Sequence, residues 1–539
     1  MKPRQILLLY ALALVPLLAA AASDSDGAAR GSQVTDVTPD RKSMTELIAD
    51  SRIVERCEVG AAAMPADIAP ITGVPFKMKQ LHRPVFRSSS VSISTADADS
   101  RGMITAALNA KIAQLSKKGG GRVVVPAGHW LTGRVELKSN IDLHLAQGCV
   151  LEFSADIEDY QPAVLTRHEG IDVMGAGAFI YACKAKNIAL TGKGTVMGPP
   201  MDVEMRKLKN GNSVVEKDVD YRLPISKRIC DGHEGRTFYR PKSFAPIHCK
   251  NVLVEGVTFE RSVLWNINPI YCHDVIIRGV TVHSVGVPSG DGIDISSCRN
   301  VLIEYSTLSC GDDCFTLKSG RAEDGVKVGL PTENVVIRYC LAEQGHGGIT
   351  CGSETAAGVK NVYLHHCVFD GTRTGFRFKT RRNRGGGIWN IVYDNVRLID
   401  MNEAFTWDLL GSRTFMGDLA QRNPPLAITP LTPTVKDIRI SNFVVESTDR
   451  MLGMKAIPEI PVTGVLIENG VVRTNRIFST INDVAGLTLR NITIHATDNR
   501  ITIDNSRGIE FDKLQLYVPG NSVVYDMKGD NAEKPIIKK

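Results

Sequence analysis

The sequence predicts an all-β chain wound into a single right-handed parallel β-helix, closed at its N-terminal end by a capping helix. The first observation is a recurring pattern, a turn residue (Asn, Asp or Gly) followed by Val, Ile and Leu. It reads Asn251-Val-Leu-Val, Asp274-Val-Ile-Ile, Asn300-Val-Leu-Ile, Asn334-Val-Val-Ile and Asn361-Val-Tyr-Leu, and continues from Asn390, Asp437, Gly464, Gly486 and Gly508. Weaker copies start at Asn140 and Asn187. The second is the spacing: steps of 22 to 34 residues, with one of 47 that fits two coils and a degraded copy. Alternation at period two with β-branched residues marks strands, and short strands repeated at such intervals stack as a solenoid. A leucine-rich horseshoe needs its own Leu and Asn spacing, and a propeller blade needs about 40 to 50 residues.

Taken in order, Lys2 and Arg4, the apolar run Ile6 to Leu18 and the small residues Ala19 to Ala22 read as a signal peptide over residues 1–22. The protein is therefore expected to be exported, to the periplasm or the medium, with no membrane association after cleavage. Residues 23–90 lack the repeat and form an extension of uncertain order; residues 91–539 form the β-helix. Ile104, Leu108, Ile112 and Leu115 follow helical spacing and end at Gly119 to Gly121, which predicts the capping helix. The stretch 199–247 is an excursion between coils, placed to wall a groove.

Composition, with 43% hydrophobic and 23% charged residues, excludes a disordered chain. A net charge of +6 is too mild for a nucleic-acid partner, and a monomer is expected. Twelve cysteines in an exported chain suggest disulfides, but their phase suggests otherwise. Cys249, Cys272 and Cys298 each stand two residues before the turn residue of their coil. Cys340 and Cys367 stand six after it, where earlier coils carry Val257, Val280 and Ser306. Cysteine alternating with valine behaves as a small buried hydrophobe; Cys314 with Cys340 stays open as one bridge.

Residues able to do chemistry cluster between 289 and 384: Ser289-Gly-Asp291-Gly-Ile-Asp294, Gly311-Asp312-Asp313, Gly345-His346-Gly347 and Arg377-Phe-Lys379-Thr-Arg381-Arg382. Asp312 and His346 each lie 12 residues after their turn residues, so stacking should bring them together. Glycosidic hydrolysis needs one protonated carboxyl and one carboxylate. Crowding Asp291, Asp312 and Asp313 should leave one of them holding its proton. Arg377 and Lys379 suit a negatively charged sugar.

These four motifs, in this order, resemble those of the polygalacturonase family of glycoside hydrolases, family 28: Asn-Thr-Asp-Gly, Gly-Asp-Asp, Gly-His-Gly and Arg-Ile-Lys. The likeness runs from Gly119 to about residue 515, and Gly352-Ser353-Glu354 and Arg381 to Gly387 make it most similar to the bacterial exported branch. The resemblance implies a galacturonate-containing poly- or oligosaccharide as substrate, with inversion and no metal or cofactor. It implies Asp312 as general acid, Asp291 and Asp313 as the pair that activates water, and His346 beside the acid. Arg377 and Lys379 would bind the sugar carboxylate. Trp265 and Asn268, one coil before Asp291, are candidate substrate contacts, with buried core the alternative for the aromatic.

Two features depart from plain endo-cleavage of an unbranched chain. Ser289 and Gly290 stand where the family has Asn and Thr, and the excursion at 199–247 would close one end of the groove, favouring cuts from chain ends. A hydrolase of rhamnogalacturonan or other branched pectin, a calcium-dependent pectate lyase and a non-catalytic glycan-binding β-helix are the alternatives.

Overall fold

The computed structural model describes residues 43–208 and 215–538, so the expected signal peptide at 1–22 lies outside the described residues. Among those described, no helix is long and apolar enough to cross a membrane.

The turn residue of the repeat is a corner. Asn251, Asp274, Asn300, Asn334, Asn361 and Asn390 all have φ between 54° and 63°, a left-handed conformation that Asn and Asp tolerate and β-branched residues do not. Their side chains then bond from coil to coil. The Asn334 amide donates to Asn300 at 3.3 Å, Asn361 to Asn334 at 2.9 Å and Asn390 to Asn361 at 2.6 Å. Later corners use Gly464, Gly486 and Gly508, also at positive φ.

Beyond each corner the strands pair in parallel and in register. Val252, Val275, Val301, Val335, Val362, Ile391, Ile438, Val465, Leu487 and Ile509 form one inward column. None is more than 3% exposed, and each buried Val, Ile or Leu is worth about 1.5–3 kcal/mol. Such stacking is the right-handed parallel β-helix of the solved relatives described below. The capping helix, Thr105–Lys117, buries Leu108, Ile112 and Leu115 against the first coil.

The cysteine ladder holds. All twelve thiols are free, ten are buried, and only Cys57 and Cys183 are exposed. The open Cys314–Cys340 bridge is corrected: Cys314 donates instead to the Gln344 carbonyl at 3.0 Å, and Cys340 to that of Arg338 at 3.3 Å.

The extension also needs correction, because its described part follows a fixed path along the outside of the coils. Leu81 packs on Leu253, Ile276 and Leu302, and Val54 and Val59 pack on Leu341, Val368 and Val444. Arginines from successive coils grip its carbonyls: Arg278 donates to Pro65 at 2.7 Å, Arg338 to Ala69 at 2.7 Å and Arg397 to Val54 at 2.9 Å.

An antiparallel hairpin (Val164–His168 with Ile171–Gly175) forms a small sheet separate from the coils. Ile229–Cys230 of the excursion pairs with it. Arg228 bonds Asp324 at 2.9 Å and Arg321 bonds Glu216 at 2.7 Å, which fixes this wall beside the coil of residues 315–328. The chain rejoins the solenoid at Lys242–Ile247, paired with Ala178–Cys183.

Candidate active site

Six strands of successive coils build the floor: β1 (Ile293–Ser296), β2 (Phe315–Lys318), β3 (Leu341–Cys351), β4 (Thr372–Lys379), β5 (Met401–Asp408) and β6 (Thr434–Lys455). Ile293, Phe315, Ile349, Phe376, Phe405 and Leu452 stack inward in register. Alternation then turns Thr316, Thr350, Arg377, Thr406 and Gly453 outward in one row.

Asp312 and Asp313 lie on the tight turn before β2. A Cβ at Gly311 would sit 2.1 Å from the Val287 carbonyl, so only glycine lets the 284–290 turn rest there. In the Gly-His-Gly segment, a Cβ at Gly347 would come within 2.7 Å of Asp313 Oδ1. That glycine makes room for the carboxylate. His346 takes the expected place, with Nδ1 3.0 Å from Asp312 Oδ1 and its backbone N–H on the Asp312 carbonyl at 2.9 Å. This hydrogen bond to Asp312 raises the His346 pKa against the pull of partial burial.

Asp313 is 1% exposed and bonds Arg377 Nη1 at 3.2 Å and Lys379 Nζ at 3.1 Å. Burial works against its charge, but Lys379, Arg377 and Lys318 outweigh that and hold its carboxyl well below the usual carboxylate range. Asp291 behaves oppositely. Burial, then Asp294 and Asp312 beside it, push its pKa well up. Asp294, equally buried, is pushed up to about 7. The buried carboxylates are thus pushed in opposite directions, Asp313 down and Asp291 and Asp294 up.

The sequence reading missed what stands behind them. Lys318 is 5% exposed, with Nζ 3.4 Å from Glu354, 3.7 Å from Asp294 and 3.9 Å from Asp291. It is one ammonium among three carboxylates, and it lies 4.8 Å from the centre of the Trp265 ring. Alternation from Thr316 placed Lys318 on the open face, which was a usable signal; its partners come from other coils and gave none.

Two candidate substrate contacts are corrected. Asn268 is fully buried and donates to the Asp294 carbonyl at 2.8 Å, so it ties two coils together rather than meeting sugar. Trp265 is 6% exposed and supports Lys318 from behind. Arg381 and Arg382 also turn away from the aspartates, to Asp408 at 3.5 Å and Glu459 at 2.6 Å. Phe378 points inward onto Trp407, as alternation required.

The Ser289-Gly290 departure has a local cause. A Cβ at Gly290 would lie 2.8 Å from the Val287 carbonyl, and Ser284 Oγ donates to the Gly290 carbonyl at 2.6 Å. The turn is folded too tightly for the family's threonine. Among the described residues no set of three or more His, Cys, Asp or Glu is arranged as metal ligands.

Three aspartates beside two cations, set on a β-helix floor, fit a glycoside hydrolase. Residues 228–406 match the model of Glycosyl hydrolases family 28. It is 28% identical over 403 residues to a "Probable polygalacturonase" of Vitis vinifera, covering 72% of this chain and 76% of that one. With an "Exo-poly-alpha-D-galacturonosidase" of Dickeya chrysanthemi it shares 26% over 304 residues, 51% of this chain and about half (49%) of the relative. The solved exopolygalacturonase of Thermotoga maritima superposes with a TM-score of 0.62 at 28% identity, covering 74% of this chain and 93% of that one. A family 28 exopolygalacturonase of Yersinia enterocolitica shares the fold at TM-score 0.58 and 19% identity, over 84% and 78% of the two chains.

Proposed function

We propose that this protein hydrolyses α-linked galacturonosyl bonds in pectic polysaccharide or oligosaccharide, with inversion, from chain ends. One observation carries the reading: Asp313, held by Arg377 and Lys379, lies next in sequence to an Asp312 bound to His346. The names of the two relatives, and that of the Thermotoga structure, support the substrate.

In this mechanism Asp312 gives its proton to the leaving oxygen, and His346 steadies it between turnovers. Asp313 orients water. Asp291, entering as a carboxylate that Lys318 stabilises, takes the water's proton, and the cycle closes when Asp291 releases it to solvent and Asp312 takes one up. Arg377 and Lys379 are shared between Asp313 and the sugar carboxylate at the cleavage point. The wall built from the 164–175 hairpin and residues 215–240 supports cutting from an end. Export, through the segment at 1–22, belongs to the same proposal, since an extracellular polymer must be met outside the cytoplasm.

The test is reducing-end release from polygalacturonate and digalacturonate. Wild type is expected to release only mono- or digalacturonate from the first minutes, and Asp312→Asn to lose about 10²–10⁴-fold in kcat. An unsaturated, ultraviolet-absorbing product abolished by calcium chelation would identify a lyase instead, and a ladder of intermediate lengths would refute end-wise action.

A further inference from the structure

The turn of the 164–175 hairpin, Glu169-Gly170, rests on Glu354 and Arg321. A Cβ at Gly170 would lie 2.9 Å from Glu354 Cγ and 2.8 Å from Arg321 Cβ. Its φ of 88° is also a left-handed value, so glycine is what brings the tip this close. Glu354 stands just beyond β3, and its backbone carbonyl accepts from the N–H of Ser319, the residue after Lys318, at 2.7 Å. The Glu354 side chain is 5% exposed. One oxygen accepts from Ser353 Oγ at 3.3 Å, and the other faces Lys318 Nζ at 3.4 Å.

At this carboxylate the wall and the catalytic floor meet. Arg321 pairs with Glu169 of the hairpin at 3.1 Å and with Glu216 of the excursion at 2.7 Å, and Arg384 reaches Glu216 at 3.5 Å. The charges facing Glu354 are Lys318, Lys379 and Arg381 on the side of the floor, Arg321 and Arg384 against the wall, and Glu169 and His168 of the hairpin. Burial opposes the charge of Glu354, but Lys318, Arg384, Arg321 and Lys379 outweigh it and hold the carboxyl well below the usual carboxylate range. Lys318 in turn faces Asp294 at 3.7 Å and Asp291 at 3.9 Å, with Asp313 also acting on it and the Trp265 ring behind. Asp291 is faced by Asp294, Asp312 and Asp313 as well. Glu354 is the nearest of the three carboxylates around the ammonium, so charge drawn to Glu354 is withheld from Asp291.

We infer that Glu354 is a positioning residue: seated under the hairpin tip, it fixes the Lys318 ammonium and so sets how much of that positive charge reaches Asp291. The wall that stands at the groove thereby also tunes the carboxylate that takes the water's proton. The inference rests on the role given to Asp291 above. Its sign follows from the charges. Neutralising Glu354 leaves the ammonium to Asp291 and Asp294, which favours the ionised form of Asp291. A base that stays ionised to lower pH keeps the enzyme active to lower pH. Removing Lys318 has the opposite sign.

The test is the pH profile of kcat/KM on oligogalacturonates, between pH 3 and 9, for wild type, Glu354→Gln, Gly170→Ala, Lys318→Met and the double variant Lys318→Met/Glu354→Gln. Glu354→Gln is expected to move the acidic limb to lower pH by about half a unit or more. Gly170→Ala changes no charge but pushes Glu354 away from Lys318, and should move the limb the same way by less. In the Lys318→Met background Glu354→Gln should add little, because its effect runs through the ammonium. An unmoved limb in Glu354→Gln, with kcat lowered equally at every pH, would show a merely structural role and overturn the inference. A shift of full size in the Lys318→Met background would overturn it too. Where Glu354→Gln does not fold, Gly170→Ala carries the test, and an unmoved limb there removes the wall from the proton balance. Failure of the galacturonan reading itself is separate: wild type would then release nothing from these substrates at any pH.

Discussion

Lys318 holds a buried ammonium 3.4 to 3.9 Å from three carboxylates, Glu354, Asp294 and Asp291. Burial opposes its charge, but Glu354, Asp294 and Asp291 raise its pKa overall. Removing it would leave Asp291 with burial, Asp294 and Asp312, all of which already push its pKa up. Lys318→Met is therefore expected to move the acidic limb of the kcat/KM profile to higher pH by one unit or more, measured between pH 4 and 9. An unmoved limb would place Lys318 outside the proton balance. His346 gives the opposite sign. Its pKa is raised in the folded protein by Asp312. The stabilising pair is thus complete below the ordinary histidine pKa and is lost as pH rises through the raised one. His346→Gln should remove that dependence from the melting temperature followed between pH 5 and 9. The Asp312–His346 contact was legible in the sequence because both residues share one phase of the repeat. Asn268 was misread because its burial depends on the coils above and below, which its own segment does not encode.

At the scale of the element, the corner asparagines explain why the repeat opens on Asn, Asp or Gly. Asn334 combines φ of 57° with bonds to Asn300 and Asn361. Alanine there keeps the strained backbone at about 1–2 kcal/mol and loses two hydrogen bonds of about 0.5–1.5 kcal/mol each. Asn334→Ala should cost about 2–5 kcal/mol in urea unfolding, and Asn334→Gly markedly less, since glycine accepts the corner. Equal losses would mean that the ladder, not the backbone, sets the position. The cysteine ladder was readable for the same reason as the corners, a fixed phase against a repeat. The path of residues 43–90 was not, because it is held by arginines clasping backbone carbonyls, an interaction with no side-chain pattern of its own. One trace was present: Val252-Leu253-Val254 and Val275-Ile276-Ile277 are apolar on both faces, and Leu253 and Ile276 lie under Leu81. A strand buried on both sides must be covered by something.

For the whole molecule, twelve free thiols in a chain with a signal-peptide pattern make a direct check on the solenoid. A thiol reagent without reductant should label Cys57 and Cys183 in the native protein and all twelve cysteines after denaturation; fewer in the denatured state would mean bridges. The coil architecture was legible because every coil repeats the same physical demands, whereas the wall at 164–175 and 215–240 is unique and had only its length and charge to announce it. The wall and the aspartates together support the proposed activity, end-wise inverting hydrolysis of galacturonan. Proton NMR of the anomeric signals during the first minutes of oligogalacturonate cleavage tests it most directly. The account predicts that the new reducing end appears first as the β-anomer and only later equilibrates. Initial release of the α-anomer would contradict it, because Asp291 and Asp313 could not then be activating water on the face opposite the leaving group.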